Sequence, residues 1–381
     1  MNNDAKLLLQ DADAAVRAAS PLAFFPLARG FWHGRTAVLA WSLSGGLLAL
    51  VIVNVVVQVM ITRWHASFFN ALEQRHADRL IAGISQLAVL TLAAALVAAL
   101  IVWLRMRLQI AWRGWLSEKL IAMWLRKQRF ARLPTVAPQV DAPEFRIAQD
   151  VQVAVEPLVE FAVGLANSLL SATAFITILW TVGGAITLPF GGGWVIPGFM
   201  VWVAIAYAIL SSGLIAVLGR PLIHAIERKN AVEAALRGNM VKVREEADAI
   251  ARSGEEATKQ KLLTGLMRRV VTAWNTIAAL LAKLTILINA NVTLMPVVPL
   301  LACAPLYLNS SMPLGSMMQI AAAFVQTQFA FNWFFDNFIR IADWEASARR
   351  VVGLRAAFAD SDRSADEPAG SAGDEPSTRP R

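Results

Sequence analysis

The sequence predicts an all-α membrane protein: six transmembrane helices with long helical extensions on the cytoplasmic side. Three observations carry this. Of 381 residues, 57% are hydrophobic and 16% charged, against about 25% charged in an average soluble domain. Six stretches, 37–61, 80–104, 158–183, 194–218, 278–302 and 314–341, reach the about 20 mostly apolar residues that cross a hydrocarbon core about 30 Å thick. Backbone groups in lipid must be satisfied within each segment, and the strict apolar/polar alternation of a barrel is absent, so all six are expected as helices.

The start, "MNNDAKLLLQDADAAVRAAS", mixes acids with short apolar runs and lacks the basic end and continuous apolar core of a signal peptide. Residues 1–21 are therefore expected to stay as a cytoplasmic segment ahead of a transmembrane domain over 22–358. "LSGG" at Leu43–Gly46 imitates a nucleotide-binding signature but lies within the first span, where small residues are common. Asn54 and Gln58 share one face of that span and suit either a cavity or a bond to a neighbour.

Between the second and third spans come Arg105, Arg107, Arg113, Lys119, Arg126, Lys127, Arg129, Arg132 and Arg146. Residues 219–270 hold eleven more cations, whereas 184–193 and 303–313 hold none. The positive-inside rule then makes both long connections and both termini cytoplasmic. The first outer loop, "RWHASFFNALEQRHADR", carries some cations without reversing the bias. "WRGWLSEKLIAMWLRKQRF" and "ERKNAVEAALRGNMVKVREEADAIARSG" are rich in helix formers with apolar residues at three- and four-residue intervals, so the spans should continue as helices into the cytoplasm.

Polar residues inside spans are candidate functional residues. Glu156 and Glu160 lie one helical turn apart at the inner end of the third span, with Asn167 continuing roughly that face. They are either proton-coupling groups or carboxylates solvated and paired with loop arginines, and Pro157 suggests that the helix is still at its entry there. Lys283 is expected to snorkel, and Pro296 with Pro299 to kink the fifth helix. In the sixth span Gln319, Gln326, Trp333, Asn337 and Arg340 share one side, and Gln328, Asn332, Asp336 and Asp343 another. Amides offer donors and acceptors without fixed charge, which suits a cavity for peptidic or amphipathic substrates, or else bonds between helices. Asp336 is the third proton-coupling candidate, unless Arg340 at i+4 neutralises it. From residue 359, "DSDRSADEPAGSAGDEPSTRPR" is poor in apolar residues and expected to be disordered.

One cysteine, Cys303, and four scattered histidines offer neither a disulfide framework nor a metal site, and no cofactor is expected. The net charge of +8 follows topology rather than an aromatic-laced basic face, so nucleic acid is not an expected partner.

In chain order, "LARGFWHGRTAVLAW", "RWHASFFNALEQR", "WRGWLSEKLIAMWL", "APEFRIAQDVQ", "DAIARSGEEA", "PLGSMMQIAAAFVQTQFAFNWFF" and "DWEASARRVVGL" resemble the SbmA/BacA family and the related ABCD-type ABC transmembrane domains. The resemblance implies the six-helix ABC exporter fold, a homodimer in the bacterial inner membrane and membrane lipid around it. It implies alternating-access transport of peptides or similar amphipathic molecules. In that family the stretch "APEFRIAQD" is an intracellular loop usually built on an Asn-Pro-Asp-Gln core; here Ala142, Pro143, Glu144 and Phe145 replace it, while Arg146, Ile147 and Asp150 keep the pattern. Glu144, Arg146 and Asp150, with Gly254 and Glu255, are thus the expected coupling loops. No Gly-Lys pair for a phosphate-binding loop occurs in the chain, so no enzymatic ATPase site is expected in it. The resemblance implies proton drive; the alternatives are a separate ATPase subunit docking on those loops, or a truncated, non-transporting remnant.

Overall fold

The computed structural model describes residues 21–136, 142–187 and 195–366. Residues 1–20, and the expected tail beyond Asp366, lie outside the described residues.

Short helical turns over 21–36, including α1 (Phe24–Ala28), lead into α2 (Ala37–Glu73). After a tight turn with Arg75 at φ 58° follow α3 (Ala77–Leu125), α4 (Arg129–Val136), a helical turn (Pro143–Phe145), a π turn (Arg146–Asp150) and α5 (Val151–Val182). Two antiparallel strands, β1 (Ala185–Thr187) and β2 (Val195–Pro197), pair with Ile186 opposite Ile196. Then come α6 (Phe199–Glu245), α7 (Ala247–Ser253), α8 (Glu256–Leu294), α9 (Val297–Leu308) and α10 (Leu314–Asp366).

At about 1.5 Å per residue, the 49 residues of α3 and 47 of α6 span roughly 73 and 70 Å. The expectation that spans continue as helices past the bilayer therefore holds. Among the described residues, five helical stretches, within 34–73, 77–133, 143–182, 199–245 and 256–308, are long and apolar enough to cross a membrane. The last helix, α10, is not among them, because its amides and acids dilute its apolar content. Three boundaries differ from expectation. The fourth span begins at Phe199, since 195–197 pair as a strand. α10 runs to Asp366, so the disorder expected from 359 does not apply to 359–366. Pro157 lies inside α5, not at its entry, because the preceding turns extend helical geometry back to Pro143. Pro296 does interrupt the fifth span, between α8 and α9.

The chain divides into two compact units. Unit 1 (residues 1–61, 84–171 and 333–381) is built on a core in which Phe24, Phe31, Leu116, Leu120, Val155 and Leu354 are almost wholly buried. Trp32 and Trp112 meet edge to face at 4.8 Å, anchoring the N-terminal turns on α3. Unit 2 (62–83 and 172–332) buries Phe175, Met200, Cys303, Ile320 and Phe324. There Cys303 Sγ lies 3.6 Å from Met200 Sδ, and Tyr207 donates to Asn291 Oδ1 at 2.6 Å. Elsewhere large apolar residues face outward, among them Val38 (82% exposed) and Ile286 (72%), which suits helices solvated by lipid.

Candidate functional site

The coupling-loop candidates of unit 1 lie on an ordered turn. Ala142, left-handed at φ 48°, starts it; the Phe145 and Arg146 amides donate back to the Ala142 carbonyl, and Pro143 takes a first-turn position where its missing N–H costs nothing. Wide π geometry follows over Arg146–Asp150, a local irregularity frequent at functional sites. Glu144 is exposed, whereas Arg146 and Asp150 are buried. Asp150 accepts three bonds from Arg350 of α10: Nε reaches both carboxylate oxygens at 2.9 Å and Nη2 reaches Oδ1 at 2.8 Å. Ser347 Oγ accepts a further bond from Nη2 at 2.8 Å.

Two turns along α5 the glutamates meet a row of basic and amide groups. Glu156 accepts from Arg113 Nη1 at 3.5 Å and Gln152 Nε2 at 3.2 Å. Gln109 Nε2 donates to the Glu156 carbonyl at 2.8 Å and reaches Glu160 Oε1 at 3.5 Å. Arg340 pairs with Glu160, and Arg105 stands 4.0 Å from the same carboxylate. Arg340 thus does not serve Asp336: i+4 spacing made the two neighbours on one helix, but the longer arginine reaches across to α5 instead. Asp336 is exposed. Asn54 Nδ2 donates to Asn167 Oδ1 at 3.1 Å, so this pair bonds between helices. Trp333 packs on Gly164, where the absent Cβ makes room for the indole, and Asn337 Nδ2 bonds the Trp333 carbonyl at 2.8 Å.

The remaining candidates belong to unit 2. Gln328 is fully buried and donates through Nε2 to the Ala204 carbonyl at 2.9 Å, a bond between helices, while its Oε1 has no partner among the described residues. Gln319, Gln326 and Asn332 are half-buried. Gly254, left-handed at φ 70°, ends α7 by donating to the Ile250 carbonyl at 3.0 Å, and the Glu255 carbonyl receives the first amides of α8. Beside this turn Lys259 binds Glu246 at 2.9 Å and holds that exposed carboxyl below its usual range.

Two constellations escaped sequence reading. Gly315 donates its amide to Asn70 Oδ1 at 2.8 Å and Leu314 donates to Glu73 Oε2 at 3.1 Å. The end of α2 thus satisfies the orphan amides that open α10, with a carboxylate at the positive end of the helix. Arg129 of α4 grips Asp362 through Nε at 3.0 Å and Nη2 at 2.5 Å. The partners lie hundreds of residues apart, and the only sequence-level hint was the pair "FFNALE" and "PLGSMM" among the resemblance stretches.

Residues 34–308 match the family model described as ABC transporter transmembrane region 2. The chain is similar to the inner membrane ABC transporter ATP-binding protein YddA of Escherichia coli K12, 25% identical over 331 residues, which is 85% of this chain and 58% of that protein. It is similar to an uncharacterized ABC transporter ATP-binding protein of Haemophilus influenzae, 27% identical over 248 residues (65% and 41%). It is also similar to ABC transporter D family member 2, chloroplastic, of Arabidopsis thaliana, 24% identical over 220 residues (57% and 29%). The chain thus spans about 58% of the length of the first relative and less of the others. With a match over most of its helical region, the chain belongs to the ABC transporter transmembrane region 2 family.

Proposed function

We propose that this chain is the membrane-spanning subunit of a homodimeric transporter, which moves peptides or similarly amphipathic molecules across the bacterial inner membrane by alternating access. The stroke comes from an ATPase module acting on the turns around residues 142–150 and Gly254–Glu255. The observation that carries this reading is the length of α3 and α6. At roughly 73 and 70 Å each is more than twice a bilayer core, so a displacement at one end is delivered within the membrane by a rigid lever. The names of the relatives, ABC transporter ATP-binding proteins, support the ATPase module. Glu156 and Glu160 are engaged by arginines, the arrangement of fixed ion pairs rather than of an unencumbered proton carrier. Proton drive through Glu156, Glu160 or Asp336 is the competing reading.

The test is uptake of a fluorescent proline-rich peptide by cells expressing the chain and lacking ATP synthase, so that ATP and the proton gradient can be collapsed separately. ATP drive predicts uptake lost on ATP depletion and retained under a protonophore. Loss under the protonophore alone, together with loss in Glu160→Gln or Asp336→Asn, would establish the proton reading instead. Uptake no greater than in cells without the chain would remove peptides as the substrate class.

A further inference from the structure

Unit 1 contains a cavity of about 560 Å³ between the N-terminal turns and helices α2, α3 and α5. Its walls include Trp32, Leu47, Val51, Trp112, Ala162 and Ala166. The volume falls within the range of clefts that hold small organic ligands, and the cavity opens to the surface, where Phe25, Leu48 and Ala162 of its lining are exposed. Both indole N–H groups are already spent: Trp32 donates to Ser44 Oγ at 3.1 Å and Trp112 to the Ala28 carbonyl at 3.3 Å. The rings therefore present carbon to the cavity. From Ser44 to Val51 on α2 and from Leu158 to Ala166 on α5 the lining extends roughly 10 to 12 Å along the helices.

Arg29 is the one cation in the cavity's lining. Its side chain is exposed, and its guanidinium makes no ion pair among the described residues. A largely carbon-walled slot whose lining carries one exposed cation complements an amphiphile with one anionic head and an unbranched apolar tail. A peptide would demand partners for its amides, which this wall does not supply. The bilayer is the nearest source of such amphiphiles.

We propose that this cavity holds one acyl chain of an anionic membrane phospholipid, with its phosphate on Arg29. A guanidinium matches a phosphate through paired N–H donors, and the wall buries the tail. The bound lipid would act as a filler that braces the N-terminal turns against α3 and α5.

The test is photolabelling in nanodiscs with phosphatidylglycerol carrying a diazirine on one acyl chain, followed by peptide mapping. Label should be enriched on 44–51 and 158–166 over 89–100, a stretch of α3 whose Val89 and Leu92 are openly exposed. Ala162→Trp, a substitution at an exposed lining position, should bring that enrichment down to the open-face level. Arg29→Gln should reduce labelling by phosphatidylglycerol about fivefold, the worth of one basic residue against an anionic lipid, and leave a phosphatidylcholine analogue unchanged. Excess unlabelled phosphatidylglycerol should compete the label in the unmodified protein, a readout that requires no variant to fold. Labelling of 158–166 no stronger than of 89–100, insensitivity to Ala162→Trp, or equal enrichment with phosphatidylcholine would each overturn the assignment.

Discussion

Removing either partner of the Asp150–Arg350 pair should destabilise unit 1, and the two removals should differ. At 2.8 Å and an effective dielectric constant of about 20, the gross attraction is about 6 kcal/mol. Much of it offsets the cost of taking the charges out of water, and deleting one partner of a buried pair costs about 3–5 kcal/mol. The side chains are unequally buried, with Asp150 3% exposed and Arg350 41%. Arg350→Ala strands an acid in the interior, so its cost should be about 3 kcal/mol or more. Asp150→Ala leaves a guanidinium that water can reach and that keeps Ser347, so its cost should be about 1–2 kcal/mol. The double variant, which removes the stranded acid as well, should be more stable than Arg350→Ala alone. Denaturant unfolding of the detergent-solubilised protein, followed by the fluorescence of its 13 tryptophans, measures all four corners of the cycle. If Arg350→Ala costs no more than Asp150→Ala, or the double variant is the least stable, the burial argument fails.

Asn70→Ala should cost about 1 kcal/mol, the usual worth of a helix cap, and speed hydrogen exchange at the amide of Gly315, which Asn70 caps, relative to Leu314, which Glu73 still holds. Gly164→Ala brings a methyl against the Trp333 indole and should cost about 1–3 kcal/mol with a shift in tryptophan emission. Gly114→Ala, with open space around it, should be neutral or stabilising in the same assay. Arg129 beside Asp362 holds that carboxyl below its ordinary value through their hydrogen bonds. Its contribution is therefore complete above the unfolded carboxylate value of about 3.9, declines below it and is gone once pH falls through the lower folded value. The difference in melting temperature between the unmodified protein and Asp362→Asn should stay level from about pH 7 to 5 and shrink as pH falls below about 3.9.

The helices, their lengths beyond the bilayer and the break at Pro296 were legible because each follows from a local rule. A run of apolar residues long enough to cross lipid has one affordable backbone solution, and propensity extends it well past that length in α3 and α6. Helical spacing likewise put Glu156 beside Glu160 and grouped the amides of α10 by face. What that spacing leaves open is which neighbour each face meets, since the polar partners were chosen by tertiary packing across long sequence separations. Arg340 could be placed beside Asp336 from the sequence, yet the fold gives it to Glu160. Gln328 could be placed on a polar face of its helix from the sequence, yet its bond to the Ala204 carbonyl could not. The caps from Asn70 and Glu73 and the Arg350 clamp on Asp150 lie 245, 241 and 200 residues from their partners, distances at which no periodicity carries information. Backbone hydrogen bonding and lipid solvation are satisfied within a segment, so the sequence by itself determined the helices; side-chain bonds are satisfied only where helices meet, so the tertiary structure alone decided the pairs.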